Sequence, residues 1–443
     1  MRVCVIGAGA AGMESTRVLR QAGHDVVCFE AGHQIGGHWN TDYEFLHLIT
    51  PRDASGFPSR PMPADYPLFP SRDQVRDYLQ DFAGTSGIAA AIRFGTRVIR
   101  LTPLADGADG WAVHTRSETA ADEVDVFDAV VIANGHHHEP RRPAVAAAFQ
   151  GRSLHSAEYT NIADLAGPRV LVVGSGNSGC DLAVDTAVHG VATEIVVRHG
   201  HVFQPKTYFG RPRNALPVLR SLPRRLAERV SRELVRISVG TYREYPGLPE
   251  PVTSNLDKQL PVVNEQLLYW IHHGRIAVRP GIDRIDGTTV HFADGTSGSY
   301  DTILWATGFR VTLPFLDPAL LTCDGEVPVR VGAATVPLGT RRLYTVGLTS
   351  PRGAQFPVFA IQAELVARLL ALDGRLPERL DETLAAVHRP DHSIDILRPV
   401  WLKQVAATRR WLDRTERRAR STVPEPVPAT PRPLGLPPAA VQS

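Results

Sequence analysis

The chain has 443 residues, of which 43% are hydrophobic and 21% are charged, and its formal net charge is +2. This length predicts roughly two or three domains rather than one. The small net charge gives no indication of nucleic acid or a membrane surface as a partner, and no apolar run reaches the roughly 18–20 residues of a transmembrane helix.

The number and spacing of the cysteines predict the cellular compartment of the protein. Cys4, Cys28, Cys180 and Cys323 lie far apart and form no CxxC pair, a pattern typical of a reduced, cytoplasmic protein. The absence of a close pair also excludes a disulfide reductase. A strand is predicted from Arg2 onward, so we expect no signal peptide.

The first predicted elements are a buried strand at 3–6, a glycine-rich loop and a helix at 10–22. The loop, here called the first fingerprint, contains Gly7, Gly9, Ala10, Ala11 and Gly12 in a GxGxxG pattern. Such glycines let the backbone approach a pyrophosphate at the positive end of the helix. A second strand at 26–29 ends at Glu30, near the spacing expected of a carboxylate that accepts a ribose 2′-hydroxyl. A free 2′-hydroxyl suits FAD or NAD and disfavours NADP.

The same unit recurs after a strand at 169–173. This second fingerprint contains Gly174, Gly176, Asn177, Ser178 and Gly179. A helix at 180–189 and a strand at 194–197 follow, and the strand ends at Arg198 where the first unit has Glu30. Because a guanidinium can pair with a 2′-phosphate, the contrast predicts FAD at the first fingerprint and NADPH at the second. The alternative for Arg198 is a solvent-facing charge.

Later elements complete the predicted fold. Residues 219–239 have the spacing of an amphipathic helix packed on the body, with a membrane-surface or partner helix as the alternative. Strands are predicted at 282–290 and 302–305, and a helix at 355–370 is expected to direct its positive end toward the flavin. The proline-rich stretch 421–443 predicts disorder.

We therefore predict an α/β fold with two Rossmann-like dinucleotide-binding domains, the NADPH domain being inserted in the FAD domain. The predicted FAD domain comprises residues 1–166 and 300–420, and the NADPH domain comprises 167–299. The sequence does not decide whether the chain forms a homo-oligomer.

Five motifs resemble those of flavin-containing monooxygenases. Residues 149–159 resemble the FxGxxxHxxxY signature, in the place just before the second fingerprint where that family carries it. The others are GGHW at 36–39, DYPLFPSRDQVRDYL at 65–79, ANGHH at 133–137 and ATGF at 306–309. The resemblance covers roughly residues 1–370, and the order and number of its motifs make it specific.

The resemblance implies a division of roles among the residues. FAD is held by the first fingerprint and by further residues, namely Gly37, His38, Trp39, Thr50, the backbone at Val98, Thr307 and Gly308. NADPH lies on the second domain and reduces the flavin, which reacts with molecular oxygen to a peroxyflavin that oxygenates a small molecule. Tyr159 stands where the related Baeyer–Villiger enzymes have tryptophan, which favours a soft nitrogen or sulfur over a ketone.

Two positions depart from the family pattern. Ile49 replaces an asparagine near the reactive edge of the flavin, and it cannot donate that residue's hydrogen bond. Ser59 replaces an aspartate in the same stretch. We therefore assign no catalytic residue, and Baeyer–Villiger oxygenation, NADPH oxidation without oxygenation and a redox-responsive binding protein stay open. The run His136–His138 is expected to be a family loop rather than a metal site, because consecutive residues do not converge easily on one ion.

Overall fold

The computed structural model describes residues 1–105, 109–118, 120–213, 216, 222–373 and 379–421. Within these ranges, no helix combines the length and the hydropathy that crossing a bilayer requires. The predicted disordered stretch 421–443 lies outside the described residues, apart from Ser421. The predicted helix at 219–239 is described from residue 222, and it spans Arg224–Val239.

Two five-stranded parallel sheets form the framework, which confirms the predicted α/β class. In spatial order the first sheet contains Leu343–Thr345, Ala129–Ile132, Arg2–Ile6, Asp25–Phe29 and Ile92–Arg93. The second sheet contains Ile276–Arg279, Ala192–Val196, Arg169–Val173, Thr302–Trp305 and Arg152–His155. In both sheets the strand that leads into the fingerprint is central, so its apolar side chains are buried on both faces.

The longer helices are Ala10–Gln21, Arg72–Ser86, Asn177–Val188, Arg224–Val239, Gln266–His272, Phe356–Leu372, Leu380–Ala385 and Arg398–Ser421. The helix Arg72–Ser86 shows how local sequence sets these boundaries. It begins with a capping box between Ser71 and Gln74 and ends at Gly87, whose φ is +66°, as expected for a glycine at a helix C-terminus.

Each parallel sheet packs between helices and a three-stranded antiparallel sheet. One face of the first sheet buries Val3, Val5 and Val131 against helices, and the other face buries Cys4, Ile6 and neighbours against a meander. That meander comprises Thr96–Pro103, Trp111–Ser117 and Glu123–Phe127. The second sheet repeats the plan with the meander Ile282–Asp286, Thr289–Phe292 and Ser297–Ser299. The two halves are therefore built alike.

Two connecting segments join the sheets, and they pair with one another. Glu139–Pro140 lies on the way from the first sheet to the second, and Phe309–Arg310 lies on the way back. They form an antiparallel ribbon, with Phe309 opposite Pro140 and Arg310 opposite Glu139. We call this pair of segments the connecting ribbon.

The predicted domain boundaries need a correction. Thr302–Trp305, predicted to return the chain to the FAD domain, pairs with Arg169–Val173 in the second sheet. Arg152–His155, predicted within 1–166, pairs with Thr302–Trp305 in the same sheet. A fully buried strand carries no sequence signal that selects between two parallel sheets, so the boundaries at 166/167 and 299/300 are wrong by one strand each.

Candidate functional site

The first fingerprint forms a tight, open-sided loop at the carboxyl edge of the first sheet. Gly7 has φ +99°, and a Cβ atom there would lie 2.9 Å from the carbonyl oxygen of Ala133. A Cβ at Gly12 would lie 1.8 Å from the carbonyl oxygen of Gly7. A Cβ at Gly9 would meet only the Cα of Gly37, at 3.7 Å. Two glycines thus close the turn, while Gly9 leaves room at the start of the helix Ala10–Gln21, where Ala10 and Ala11 form the first turn.

Glu30 lies beside this loop, as predicted. Its carboxylate accepts hydrogen bonds from the backbone N–H groups of Ala8 at 2.6 Å and Gly32 at 2.7 Å. The backbone N–H of Thr96 donates to the carbonyl oxygen of Glu30 at 2.9 Å. Val98 follows two residues later in the same strand, next to a β-bulge. The carboxylate and the strand that contains Val98 therefore border one end of the loop.

The GGHW segment closes over the first fingerprint. The backbone N–H of Gly36 donates to the carbonyl oxygen of Ala8, and Gly37 packs against Gly9. Trp39 is buried and meets the ring of Phe356, at the start of the helix Phe356–Leu372, edge-to-face at 6.4 Å. This helix begins where the sequence predicted.

Two buried amide oxygens next to this loop have no hydrogen-bond partner among the described residues. They are Oδ1 of Asn40, in the segment over the fingerprint, and Oδ1 of Asn134, directly after the strand Ala129–Ile132. Buried polar atoms are normally paired. The orphaned oxygens and the open face of Gly9 fit a nucleotide cofactor, which would supply the missing partners.

The histidine run lies directly after the strand Ala129–Ile132 and contacts residues of both halves. His136 donates from Nδ1 to the carbonyl oxygen of Gly347 at 3.3 Å, and burial lowers its pKa to about 4. The ring of His137 lies 5.8 Å from that of His38 and 5.2 Å from that of Phe309. Desolvation by nearby protein atoms and the charges of His136 and His38 lower the pKa of His137. Among the described residues no group of three potential metal ligands is present.

The two departures from the family pattern differ in their burial. Thr50 is buried, and its hydroxyl lies 2.8 Å from that of Ser55. Ile49 is half-buried beside it, whereas Ser59 is exposed in a turn between Phe57 and Arg60. The departure at Ile49 is therefore the more consequential of the two.

The second fingerprint repeats the geometry of the first. Gly174 has φ +112°, and a Cβ there would lie 2.3 Å from the carbonyl oxygen of Ala306. A Cβ at Gly179 would lie 2.0 Å from the carbonyl oxygen of Gly174, while a Cβ at Gly176 would meet nothing within 4 Å. Asn177 accepts a hydrogen bond from the backbone N–H of Val263 at 2.8 Å. This loop also leaves an open face at the start of its helix.

Arg198, predicted to end the neighbouring strand, lies two residues after that strand, which spans Ala192–Val196. Its side chain is exposed, and Gly281 lies beside it. By contrast, Arg279, at the end of the next strand, pairs with Glu194 at 2.5 Å. Arg198 is thus an exposed cation that follows the strand Ala192–Val196, the parallel neighbour of the strand leading into the second fingerprint.

Thr307 and Gly308 do not lie at the first fingerprint, and their predicted role there needs correction. Ala306 packs against Gly174 and Gly179, as Ala133 packs against Gly7. The ATGF segment is therefore the counterpart of ANGHH in the second half. Thr307 donates to the carbonyl oxygen of Arg141, so it anchors the connecting ribbon. The sequence error follows from assigning the preceding strand to the wrong sheet.

The signature residues His155 and Tyr159 tie the second half together. Nε2 of His155 donates to the carbonyl oxygen of Gly308 at 3.1 Å, and its Nδ1 accepts from the backbone N–H of Ala157 at 3.2 Å. The Tyr159 hydroxyl donates to the Asp185 carboxylate, on the second fingerprint helix, at 2.7 Å. Both side chains are fully buried, so they position the ribbon and the helix.

Sequence reasoning missed a polar contact that joins the two halves. Tyr43, four residues after Trp39, donates to Asp181 on the second fingerprint helix at 3.0 Å. The Asn264 amide donates to the other carboxylate oxygen at 2.8 Å. Burial raises the pKa of Asp181 to about 6, although the nearby Lys206 opposes the rise. No motif marks these residues, because they meet only when the segment after GGHW docks on the second half.

The raised pKa of Asp181 makes a testable prediction about stability. An unfolded chain loses this proton near pH 3.9, so the folded state holds the proton longer and stability falls as pH rises from about 4 to 6. Asp181→Asn lacks this effect. We expect the free energy of unfolding of D181N, measured relative to the unsubstituted protein, to improve by roughly 1 kcal/mol between pH 5 and pH 8. Denaturation at both pH values measures this difference, and an unchanged difference would contradict the assignment.

The fold and the two glycine loops together define the class of protein. Two Rossmann-type units place two open glycine loops at the carboxyl edges of two sheets, and residues after Ile132 meet residues after Trp305 at the connecting ribbon. This is the arrangement of an oxidoreductase that uses two nucleotides.

The chain belongs to the flavin-binding monooxygenase-like family, which matches residues 1–397. It is 30% identical over 427 residues to dimethylaniline monooxygenase [N-oxide-forming] 2 of Rattus norvegicus, covering 89% of this chain and 78% of the relative. It is 32% identical over 361 residues to indole-3-pyruvate monooxygenase YUCCA1 of Oryza sativa subsp. japonica, covering 78% and 86%. Among solved structures, a flavin-containing monooxygenase from Stenotrophomonas maltophilia has a TM-score of 0.64 and 25% identity, covering 84% of this chain and 98% of that one. The predicted family and the prediction of a flavin-dependent monooxygenase are confirmed.

Proposed function

We propose that this protein is an NADPH- and FAD-dependent monooxygenase that oxygenates a soft nitrogen or sulfur atom of a small molecule. The observation that carries the proposal is the pair of open glycine loops, one beside Glu30 and the other beside Arg198. The relative from Rattus norvegicus is named for N-oxide formation, and this supports the choice of heteroatom. A cytoplasmic location stays a prediction from cysteine usage.

The first fingerprint binds the pyrophosphate of FAD. Glu30, with its carboxylate fixed by two backbone N–H groups, accepts a hydrogen bond from the ribose hydroxyl. Gly37, His38 and Trp39 cover the loop, and Val98 lies toward the adenine. Bound FAD supplies the redox chemistry: its reduced form activates molecular oxygen for transfer to the substrate.

The second fingerprint holds NADPH. The first helical amides, including those of Asn177 and Ser178, face the pyrophosphate, and Arg198 pairs with the 2′-phosphate. Tyr43 and Asp181 fix the second fingerprint helix against the first half. The reaction consumes NADPH, a proton and oxygen, and yields NADP⁺, water and the N-oxide or S-oxide of the substrate.

Activity and spectroscopy of the purified protein test this proposal. We expect yellow protein whose flavin bleaches with NADPH under argon and which, in air, converts dimethylaniline or a thioether to a product 16 mass units heavier, the mass of one oxygen atom. Ester or lactone formation from a cyclic ketone in preference would favour Baeyer–Villiger chemistry. Colourless protein that cannot be reconstituted with FAD would contradict the proposal.

Ile49 favours a second candidate, an NADPH oxidase that releases hydrogen peroxide. The side chain has no hydrogen-bond donor, whereas the family pattern described above has an asparagine there. If the departure weakens oxygen transfer, Ile49→Asn should lower the ratio of hydrogen peroxide to oxygenated product by roughly tenfold, the effect of one hydrogen bond.

Peroxide and product are measured together during NADPH turnover. Ile162→Asn is the matched control, because Ile162 is exposed in a 3-10 turn of the connecting region. An equal ratio in I49N and the unsubstituted protein would show that Ile49 does not cause the release of peroxide.

A further inference from the structure

A short β-hairpin after the second fingerprint unit presents several polar side chains on one face. Its strands are Thr207–Tyr208 and Arg211–Pro212, with Tyr208 opposite Arg211. The backbone N–H of Arg213 donates to the carbonyl oxygen of Lys206 at 3.2 Å, which extends the pairing by one residue. Because side chains alternate along a strand, Lys206, Tyr208, Arg211 and Arg213 share a face.

Two polar groups on this face are buried without a partner. The side chain of Tyr208 is 3% exposed, and its hydroxyl has no hydrogen-bond partner among the described residues. The same holds for the buried Nη1 atom of Arg213. Burial lowers the pKa of Arg213, and the neighbour that opposes this is Tyr208 rather than a carboxylate. A buried cation without a counter-ion is costly, so the pair is suited to an anion that the protein itself does not provide.

Of the two remaining cations on this face, Lys206 has acidic neighbours and Arg211 is solvated. The carboxylates of Asp181 and Glu265 act on Lys206, and they oppose the lowering of its pKa by burial. Arg211, nearer the tip, is exposed. The hairpin therefore holds a cation with acidic neighbours, Lys206, a solvated cation, Arg211, and a half-buried cation, Arg213, whose Nη1 has no partner in the described part of the chain.

The hairpin face contacts the segment of the first half that pairs with the residues around Ile49. The ammonium group of Lys206 lies 5.4 Å from the centre of the Phe69 ring, which belongs to the first half. The residues on either side of Phe69 accept backbone hydrogen bonds from the Ile49 segment: Leu48 donates to Pro70 at 2.8 Å and Arg52 donates to Leu68 at 2.9 Å. The face thus lies across from the segment expected at the reactive edge of the flavin.

We propose that Arg213 and Tyr208 bind the carboxylate of the substrate, so that the preferred substrates are small organic acids with a nucleophilic sulfur or nitrogen atom. A guanidinium presents two parallel N–H donors to a carboxylate, and the tyrosine hydroxyl adds a third donor. This inference rests on the proposed function for the reaction itself. The anion is assigned to the substrate and not to NADPH, whose phosphates are served by the second fingerprint and Arg198.

Two probes of similar shape, one anionic and one neutral, test the inference. 3-(Methylthio)propanoate and 3-(methylthio)propanamide have the same thioether, but only the first has a negative charge. We expect kcat/KM for sulfoxide formation to be roughly ten- to a hundredfold higher for the acid, as charge-assisted hydrogen bonds imply. Binding of each probe to the oxidised FAD-loaded protein, followed by the change in the flavin spectrum or in the melting temperature, should show the same preference without turnover.

Three substitutions in the hairpin test which residues cause the preference for the acid over the amide. Arg213→Gln should remove most of it, and Tyr208→Phe should remove part of it. Arg211→Gln is the matched control, because it removes the same charge from an exposed position of the same hairpin. KM for NADPH should be unchanged in all three variants. A melting temperature measured without probe shows whether each variant is folded.

The outcomes separate the inference from the proposed function. Equal binding of acid and amide by the unsubstituted protein, or equal loss of preference in R213Q and R211Q, would overturn the inference. A rise of KM for NADPH in R213Q alone would reassign the residue to a coenzyme phosphate and would also overturn it. Failure of NADPH to reduce the flavin would contradict the proposed function, while selective binding of the acid would still support a carboxylate site.

Discussion

Gly176→Ala should abolish most NADPH-dependent flavin reduction while leaving the protein folded and yellow. The backbone at Gly176 is extended, with φ −73°, a conformation that alanine adopts freely. A Cβ there meets no protein atom within 4 Å, so the substitution should cost the fold little. The space it fills is where the pyrophosphate approaches the backbone. We expect the dissociation constant for NADPH to rise roughly a hundredfold, which corresponds to about 2.7 kcal/mol.

Two other glycines provide the controls for this experiment. Gly9 has the same conformation and an equally tolerant environment in the first fingerprint, so Gly9→Ala should weaken FAD and leave NADPH binding to the loaded fraction unchanged. Gly179→Ala would place a Cβ 2.0 Å from the carbonyl oxygen of Gly174, and it should destabilise the fold itself. Flavin content, anaerobic reduction kinetics and melting temperature distinguish the three effects. Equal loss of both cofactors in G9A and G176A would contradict the assignment of one nucleotide to each loop.

Arg198→Ala should remove the preference for NADPH over NADH. Arg198 is exposed two residues after the strand Ala192–Val196, which pairs with the strand leading into the second fingerprint, and a phosphate bound by Arg198 would gain charge-assisted hydrogen bonds. We expect kcat/KM for NADPH to fall roughly ten- to a hundredfold and kcat/KM for NADH to change little. The loss should be smaller at high salt, where the contribution of an exposed charge pair is screened.

Arg243→Ala is the control for this second prediction. The Arg243 side chain is 89% exposed in a 3-10 turn of the same half and lies 3.7 Å from Glu250. Its removal changes the net charge equally but leaves the second fingerprint intact. If R198A and R243A lowered kcat/KM for NADPH equally, the effect would be one of general charge, and the solvent-facing interpretation of Arg198 would hold.

The sequence allowed the nucleotide loops to be placed because local chemistry dictates them. Gly7 and Gly174 need positive φ, Gly12 and Gly179 need the absence of a Cβ, and a charged residue ends each second strand. These requirements concern neighbours in sequence and in the adjoining strand. They therefore leave a pattern that can be recognised without the fold.

The sheet that receives the strand Thr302–Trp305 was not predictable in the same way. Its four residues are buried on both faces, and such a run pairs equally well with either parallel sheet. The error placed Thr307 and Gly308 after a strand of the wrong sheet. Contacts between residues far apart in sequence fix the assignment, namely the pairing with Arg169–Val173 and the contact of Ala306 with Gly174, 132 positions apart.

The polar groups between the halves had no sequence signal at all. Asp181 lies within a fingerprint helix whose motif concerns other positions, and Tyr43 lies in a loop. Arg213 belongs to a stretch, 204–255, that is rich in proline and arginine and that we expect to border the substrate pocket, but its composition does not distinguish Arg213 from the other arginines. The importance of Asp181 and Tyr43 arises from a buried contact between the halves, and that of Arg213 arises from a buried atom without a partner among the described residues; both are properties of the folded chain.

The connecting ribbon has a consequence for motion during turnover. A single segment between two domains allows rotation about several axes. Two antiparallel segments that are hydrogen-bonded to each other restrict that rotation. Phe309 lies in the connecting ribbon and contacts both halves. Its ring lies 5.2 Å from that of His137 and 5.0 Å from that of His155. The ribbon therefore limits the directions in which the second fingerprint can move relative to the first.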